Sequence, residues 1–135
     1  MKFVIYCLLV GMVWFAQTAQ ASTVVDQVLD GYKAKGAGSF DASRGEVLWT
    51  MDFPDPKAAG KVRNCSTCHG SNLKAKGKHA KTGKVIDAMA PSVNAERLTD
   101  KKFIEKWFKR NCKWVLGRTC TPQEKGDVLT FLKDK

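Results

Sequence analysis

Apolar positions recur at helical spacing in separate stretches of the chain. Val24, Val25, Val28, Leu29 and Tyr32 form the first. With Ser22 or Thr23 as the cap they predict a helix reaching about Lys35, where the run Lys35-Gly36-Ala37-Gly38-Ser39 breaks it. A second helix is expected to open at Ser43, whose partner Glu46 makes a capping box ahead of Val47, Leu48 and Trp49, and to end before Pro54 and Pro56. Thr99 and Asp100 suit the cap of a third, carrying Phe103, Ile104, Trp107 and Phe108, an aromatic stripe assigned mostly to the core. The last starts at Thr121, with Pro122 at the first helical position and Glu124 completing another capping box, and buries Val128, Leu129 and Leu132. No strand-like alternation of useful length and no internal repeat interrupts this pattern, so the fold class is all-α.

The N-terminal stretch has a different composition. Lys2 is followed by a mostly apolar run from Phe3 to Ala16, then by Ala19-Gln20-Ala21, where small residues suit a signal peptidase. Residues 1–21 are therefore expected to be a signal peptide cleaved after Ala21, and residues 22–135 one exported domain. The apolar run is too short for a comfortable membrane span, so no stable membrane span is expected. Cys7 would leave with the signal.

Cys65-Ser66-Thr67-Cys68-His69 is a C-x-x-C-H run, the attachment signature of a c-type haem. Two thiols at this spacing can each form a thioether to a porphyrin vinyl group, and the adjacent imidazole can reach the iron. A redox dithiol would need a βαβ context, which is not seen, and Cys112 and Cys120, eight positions apart, suit the second half of a zinc site poorly. One covalent haem c is expected, with Cys65, Cys68 and His69 holding it and His69 as an iron ligand. The all-α domain then wraps around the haem, which forms part of its core. Cys112 and Cys120 remain as a pair in an oxidising compartment, the periplasm, and a disulfide between them would stabilise by about 2 to 3 kcal/mol on the chain-entropy model.

Charge adds a partner. The chain carries 23 Lys+Arg against 13 Asp+Glu, a formal charge of +10. From Lys57 to Lys84, around the haem motif, basic residues occur with no acidic one. Such a collar is expected to steer an acidic redox partner. Nucleic acid is not an expected partner of an exported haem protein, whereas an anionic membrane surface remains compatible with the charge.

The ligand opposite His69 largely decides what such a haem does. Met51 and Met89 offer thioethers, His79 an imidazole, and Asn111 an amide beside the cysteine pair; composition does not choose among them. Gly45 to Trp49, Cys65 to Gly70, Ala90-Pro91-Ser92-Val93 and Arg97-Leu98-Thr99-Asp100 resemble the running pattern of class I cytochromes c. More narrowly, Thr82-Gly83-Lys84, Met89-Ala90-Pro91-Ser92 and Arg110-Asn111-Cys112 through Gly117-Arg118-Thr119-Cys120-Thr121-Pro122-Gln123-Glu124-Lys125 resemble the sphaeroides haem protein family.

The class I resemblance implies that the Pro91 carbonyl accepts a hydrogen bond from the His69 imidazole, which puts Met89 on the proximal side. The narrower resemblance implies Asn111 as second axial ligand to ferric iron, in a segment between the third and last helices pinned by Cys112–Cys120. An amide oxygen is a hard donor better suited to ferric than to ferrous iron. The function implied is electron transfer together with binding of a diatomic (oxygen, nitric oxide or carbon monoxide) once Asn111 is released on reduction, with a diheme cytochrome c as the implied partner. Alternatives are a plain electron shuttle with a permanently six-coordinate haem, and a haem oxidase or reductase of small oxygen or nitrogen species. No distal acid or base beyond Arg110, Lys113 and Arg118 supports the enzyme reading, so no catalytic residue is assigned.

Overall fold

The computed structural model describes residues 23–135. The expected signal peptide and its cleavage site lie outside the described residues. The described residues form five helices: α1 (Val24–Lys33), α2 (Ala42–Thr50), α3 (Ser66–His69), α4 (Lys101–Val115) and α5 (Pro122–Lys133). Two ladders of two-residue strands sit between them, β1 (Phe53–Pro54) with β2 (Val62–Arg63) and β3 (Gly77–Lys78) with β4 (Val85–Ile86), both antiparallel. The fold of the described residues is all-α apart from these two short ladders, as the helical periodicity of the sequence predicts. Among the described residues no helix is long and apolar enough to cross a membrane.

The caps follow the chemistry of the residues before each helix. Thr23 caps α1 through a reciprocal box with Asp26, and Thr121 caps α5 in the same way with Glu124. α2 is capped two residues earlier than expected. Asp41, not Ser43, is its N-cap, accepting from the Arg44 backbone N–H, so the expected Ser43–Glu46 box is not formed. The reason is tertiary: the Asp41 N–H donates to the Asp127 carboxylate at 2.8 Å, which anchors this entry on α5. α1 ends at Lys33, short of Lys35, and α2 ends at Thr50, before either proline.

α5 is the centre of the packing and buries Gly126, Asp127, Val128, Leu129, Phe131 and Leu132 against α1 and α2. Two apolar clusters result. One gathers Trp49, Leu73, Ala90, Val128, Phe131 and Leu132; the other Val28, Leu29, Tyr32, Ile104 and Leu129. Leu98 and Phe108 touch both. Leu98 has φ 62°, a left-handed geometry that a leucine adopts only when its surroundings hold it there, as both clusters do.

Where α2 crosses α5, Gly45 is required by contact. A Cβ at Gly45 would run into the backbone carbonyl of Asp127 and lie 2.9 Å from the Phe131 Cβ. The same crossing is tied by charge: the Arg44 guanidinium donates twice to the buried Asp127 carboxylate, at 2.9 Å each.

The aromatic stripe of α4 divides differently from expectation. Ile104 is buried and Phe108 packs on the clusters, but Phe103 and Trp107 are exposed and stack edge-to-face on each other at 5.8 Å. Each lies one position from an inward residue, so a helical turn rotates it outward.

Candidate haem site

Cys65 is the N-cap of the single-turn helix α3, Cys68 is three residues on, and His69 is its last residue. The His69 N–H donates to the Cys65 carbonyl at 3.2 Å, closing the turn. Residues at i, i+3 and i+4 share a helix face, so both thiols and the imidazole are brought to one side of this turn. The turn is seated on α2 by a bond from the Cys65 N–H to the Trp49 carbonyl at 3.1 Å.

The β3–β4 hairpin lies directly against it. A Cβ at Gly77 would collide with the Cys68 carbonyl and the His69 Cα, so only glycine permits this approach. At the hairpin tip the Ala80 N–H faces the Cys68 Sγ at 3.4 Å. His79 is exposed, and its Nδ1 accepts from the Lys81 and Thr82 N–H groups at 3.3 and 3.2 Å. It shapes the tip. Met51 is exposed at the end of α2, and Met89 packs beside Trp49 and Ala90 in the first cluster.

The donor set fits a covalently held iron porphyrin. Cys65 and Cys68 are not paired in a disulfide, which leaves both sulfurs available for thioethers. Burial pushes the Cys65 thiol up to about 12, with the neighbouring Cys68 adding to it. Burial likewise pushes His69 down to about 4, and the Arg97 cation acts in the same direction. A neutral imidazole keeps a lone pair for a metal. Its Nδ1 is buried without a hydrogen-bond partner, as is the indole nitrogen of Trp49, whose ring lies 5.3 Å from the imidazole. Orphaned polar atoms of this kind are rare in cores and commonly mark functional sites.

The anticipated bond from His69 to the Pro91 carbonyl is not made: the imidazole Nδ1 has no partner. The chain turns over at Ala90, whose carbonyl takes the Val93 and Asn94 N–H groups at 3.2 and 3.1 Å, and Pro91 lines a cleft with Thr23, Val25 and Lys133. The loop ahead of it is held by Arg97, which donates to the Ala88 and Asp87 carbonyls at 2.7 and 2.6 Å. In the sequence Arg97 is only one member of the run Arg97-Leu98-Thr99-Asp100; its influence on the imidazole is a tertiary result.

Asn111 is placed differently from expectation. It lies inside α4, which continues to Val115 and is capped by Leu116, rather than in an inter-helix segment. On the helix it follows Ile104 and Phe108 at i+7 and i+3 and precedes Val115 by four, so it belongs to the inward face. It is partly buried, and its side chain makes no hydrogen bond within the described residues. Asparagine is a weak helix former, and its amide here is not engaged by the helix backbone. Cys112, the next residue, is bonded to Cys120, with Cα atoms 5.6 Å apart.

Trp114 lies between the two bonded cysteines. It is in the last turn of α4, under the guanidinium of Arg63 at 4.6 Å. Arg63 is therefore not part of the basic surface: it is 6% exposed and paired with Asp55. The lysines of the collar, Lys57, Lys61, Lys74, Lys76, Lys78, Lys81 and Lys84, are exposed. Nothing in the local sequence distinguishes Arg63 from them.

A family model described as "Domain of unknown function (DUF1924)" matches residues 35–132. The cytochrome c-type protein SHP of Cereibacter sphaeroides is 42% identical over 108 residues, covering 78% of this chain and 80% of that protein. Cytochrome c'' of Methylophilus methylotrophus is 36% identical over 88 residues, covering 65% of this chain and 60% of that protein. The solved structure of oxidized SHP, described as an oxygen binding cytochrome c, superimposes with a TM-score of 0.72 at 38% identity, covering 84% of this chain and 98% of that one. Oxidized cytochrome c'' from Methylophilus methylotrophus gives a TM-score of 0.68 at 29% identity over 81% of this chain and 92% of that one.

Proposed function

Because this chain belongs to the sphaeroides haem protein family, and so is a monohaem cytochrome c with one covalent haem c, we propose that it is an exported, periplasmic electron carrier that binds a diatomic ligand when reduced. Bound there, the haem would supply a one-electron couple. Cys65 and Cys68 would hold it by thioethers and the neutral His69 would ligate its iron, with Trp49 against the imidazole ring. Asn111 would serve as the second protein ligand to ferric iron. An amide oxygen is a hard donor less suited to ferrous iron, so after reduction Asn111 would be free to move away and leave room for oxygen, nitric oxide or carbon monoxide.

One observation carries this reading: a partly buried asparagine in the middle of α4, on its inward face, with no hydrogen bond among the described residues to satisfy its amide and a disulfide fixing the adjacent residue. The similar SHP of known structure is described as oxygen binding. Electrons come from an acidic redox protein that meets the exposed lysines around α3 and the β3–β4 hairpin, and a diheme cytochrome c fits that description.

The test is spectroscopic. Carbon monoxide added to the dithionite-reduced protein should shift the Soret band, and Asn111→Ala should convert the ferric spectrum to a water-ligated or five-coordinate form with the haem still attached. A ferrous spectrum indifferent to carbon monoxide would leave a closed electron shuttle instead. An unchanged ferric spectrum in Asn111→Ala would remove Asn111 as the ligand.

A further inference from the structure

Arg63 joins two parts of the chain that are far apart in sequence. It sits on β2, two residues before Cys65, and is almost fully buried. One terminal nitrogen donates to the backbone carbonyl of Trp114 at 3.1 Å, and the guanidinium plane covers the Trp114 ring at 4.6 Å. The other terminal nitrogen pairs with the Asp55 carboxylate. Asp55 is itself fixed, its carboxylate accepting from the Lys57 N–H and its own N–H donating to the Lys61 carbonyl, both at 2.8 Å.

The Trp114 carbonyl belongs to the last turn of α4, where carbonyls have no intrahelical N–H to accept from. A cation here also meets the negative end of the helix dipole. Arg63 thus acts as a C-terminal cap for α4, delivered by the segment that leads into the haem-binding cysteines. The disulfide cannot do this. It ties Cys112 to the residue before Thr121, the cap of α5, and does not reach the Cys65 segment.

Asn111 is three residues before Trp114, one turn back along the same helix. We propose that Arg63 is a positioning residue for Asn111: it clamps the end of α4 to the chain carrying Cys65, Cys68 and His69, and so sets how readily Asn111 closes on the distal side. The role rests on Asn111 being the distal ligand. A planar guanidinium is needed, since a lysine keeps the charge for Asp55 but can neither stack on the indole nor bridge carboxylate and carbonyl with two fixed donors.

The experiment compares holoprotein carrying Arg63→Lys, Trp114→Leu, both together, or Asn111→Ala. It records ferric absorption and electron paramagnetic resonance spectra, carbon monoxide rebinding to the ferrous protein after flash photolysis, and urea unfolding. Arg63→Lys should raise the ratio of Asn-free to Asn-ligated ferric protein by about tenfold, and carbon monoxide should rebind faster because Asn111 returns less readily. Trp114→Leu should act in the same direction, and the double variant should add little to the stronger single, since both break one clamp.

If Arg63→Lys or Trp114→Leu lowers the urea midpoint but leaves ferric spectra and rebinding rates at parental values while Asn111→Ala changes them, Arg63 is merely structural and the proposal falls. If Asn111→Ala changes nothing, the ligand assignment fails first and this role with it. Should Arg63→Lys not yield folded protein, Trp114→Leu alone decides by the same readouts.

Discussion

Two glycines in helices should respond in opposite directions to the same added methyl group. Gly31 lies in α1 with nothing within 4 Å of where a Cβ would stand, whereas Gly45 lies in α2 against the Asp127 carbonyl and the Phe131 Cβ. Replacing a mid-helix glycine by alanine stabilises by about 0.5–1 kcal/mol, because the unfolded chain loses freedom. Gly31→Ala should gain that amount. At Gly45 the same gain is opposed by overpacking, which costs about 1–3 kcal/mol, and the obstructing atoms are largely backbone, so the upper end applies. The net expectation for Gly45→Ala is a loss of about 2 kcal/mol and a melting temperature lower by roughly 8 °C or more.

The effect should also reach the site. Trp49 is one turn on from Gly45, with its ring 6.2 Å from Phe131 and 5.3 Å from His69. Prising α2 from α5 should therefore disturb the imidazole environment, visible in the Soret circular dichroism of the ferric holoprotein, while Gly31→Ala leaves it unchanged. Stability is measured by urea unfolding followed in the far ultraviolet. A Gly45→Ala protein as stable as the parent, with Gly31→Ala behaving alike, would refute the tight α2–α5 crossing and the account of Trp49 that depends on it.

The Asp127 carboxyl lies below its ordinary 3.8: burial opposes ionisation, but hydrogen bonds from Arg44, the Asp41 N–H and Gln123 together outweigh it. Its contribution to stability is therefore complete above that value and is lost as pH falls through the lower folded one. Asp127→Asn should cost about 1–2 kcal/mol at neutral pH, discounted because the Arg44 side chain is 53% exposed, and should flatten the fall of the urea midpoint below about pH 4. Cys112→Ser with Cys120→Ser should lower stability by about 2–3 kcal/mol and change carbon monoxide rebinding; identical rebinding kinetics would deny the disulfide any part in holding Asn111. Reduction by an acidic donor protein should slow steeply between low and physiological salt, since exposed lysines are screened within about 8–10 Å; a flat dependence would remove the steering role.

Local rules carried much of this protein. The C-x-x-C-H spacing, the paired late cysteines and the capping signals at Thr23 and Thr121 act over a few residues, and so could be read without knowing the fold. The likeness of Arg110 to Lys125 to a known family singled out Asn111, as an expectation, from four candidate ligands that composition left open. What could not be read was set by contacts between distant segments. Asp41 takes the capping position expected of Ser43 because Asp127, far along the chain, holds its N–H. Phe103 and Trp107 face outward because the other side of α4 meets the core. The imidazole of His69 stays without a partner while the chain before Pro91 turns over at Ala90. Arg63 looks like one more basic residue until the fold lays it across Trp114. Attachment chemistry is encoded in neighbouring residues; the reach and burial of the groups that tune it exist only once the helices have packed, because desolvation and long-range pairing are properties of the assembled chain.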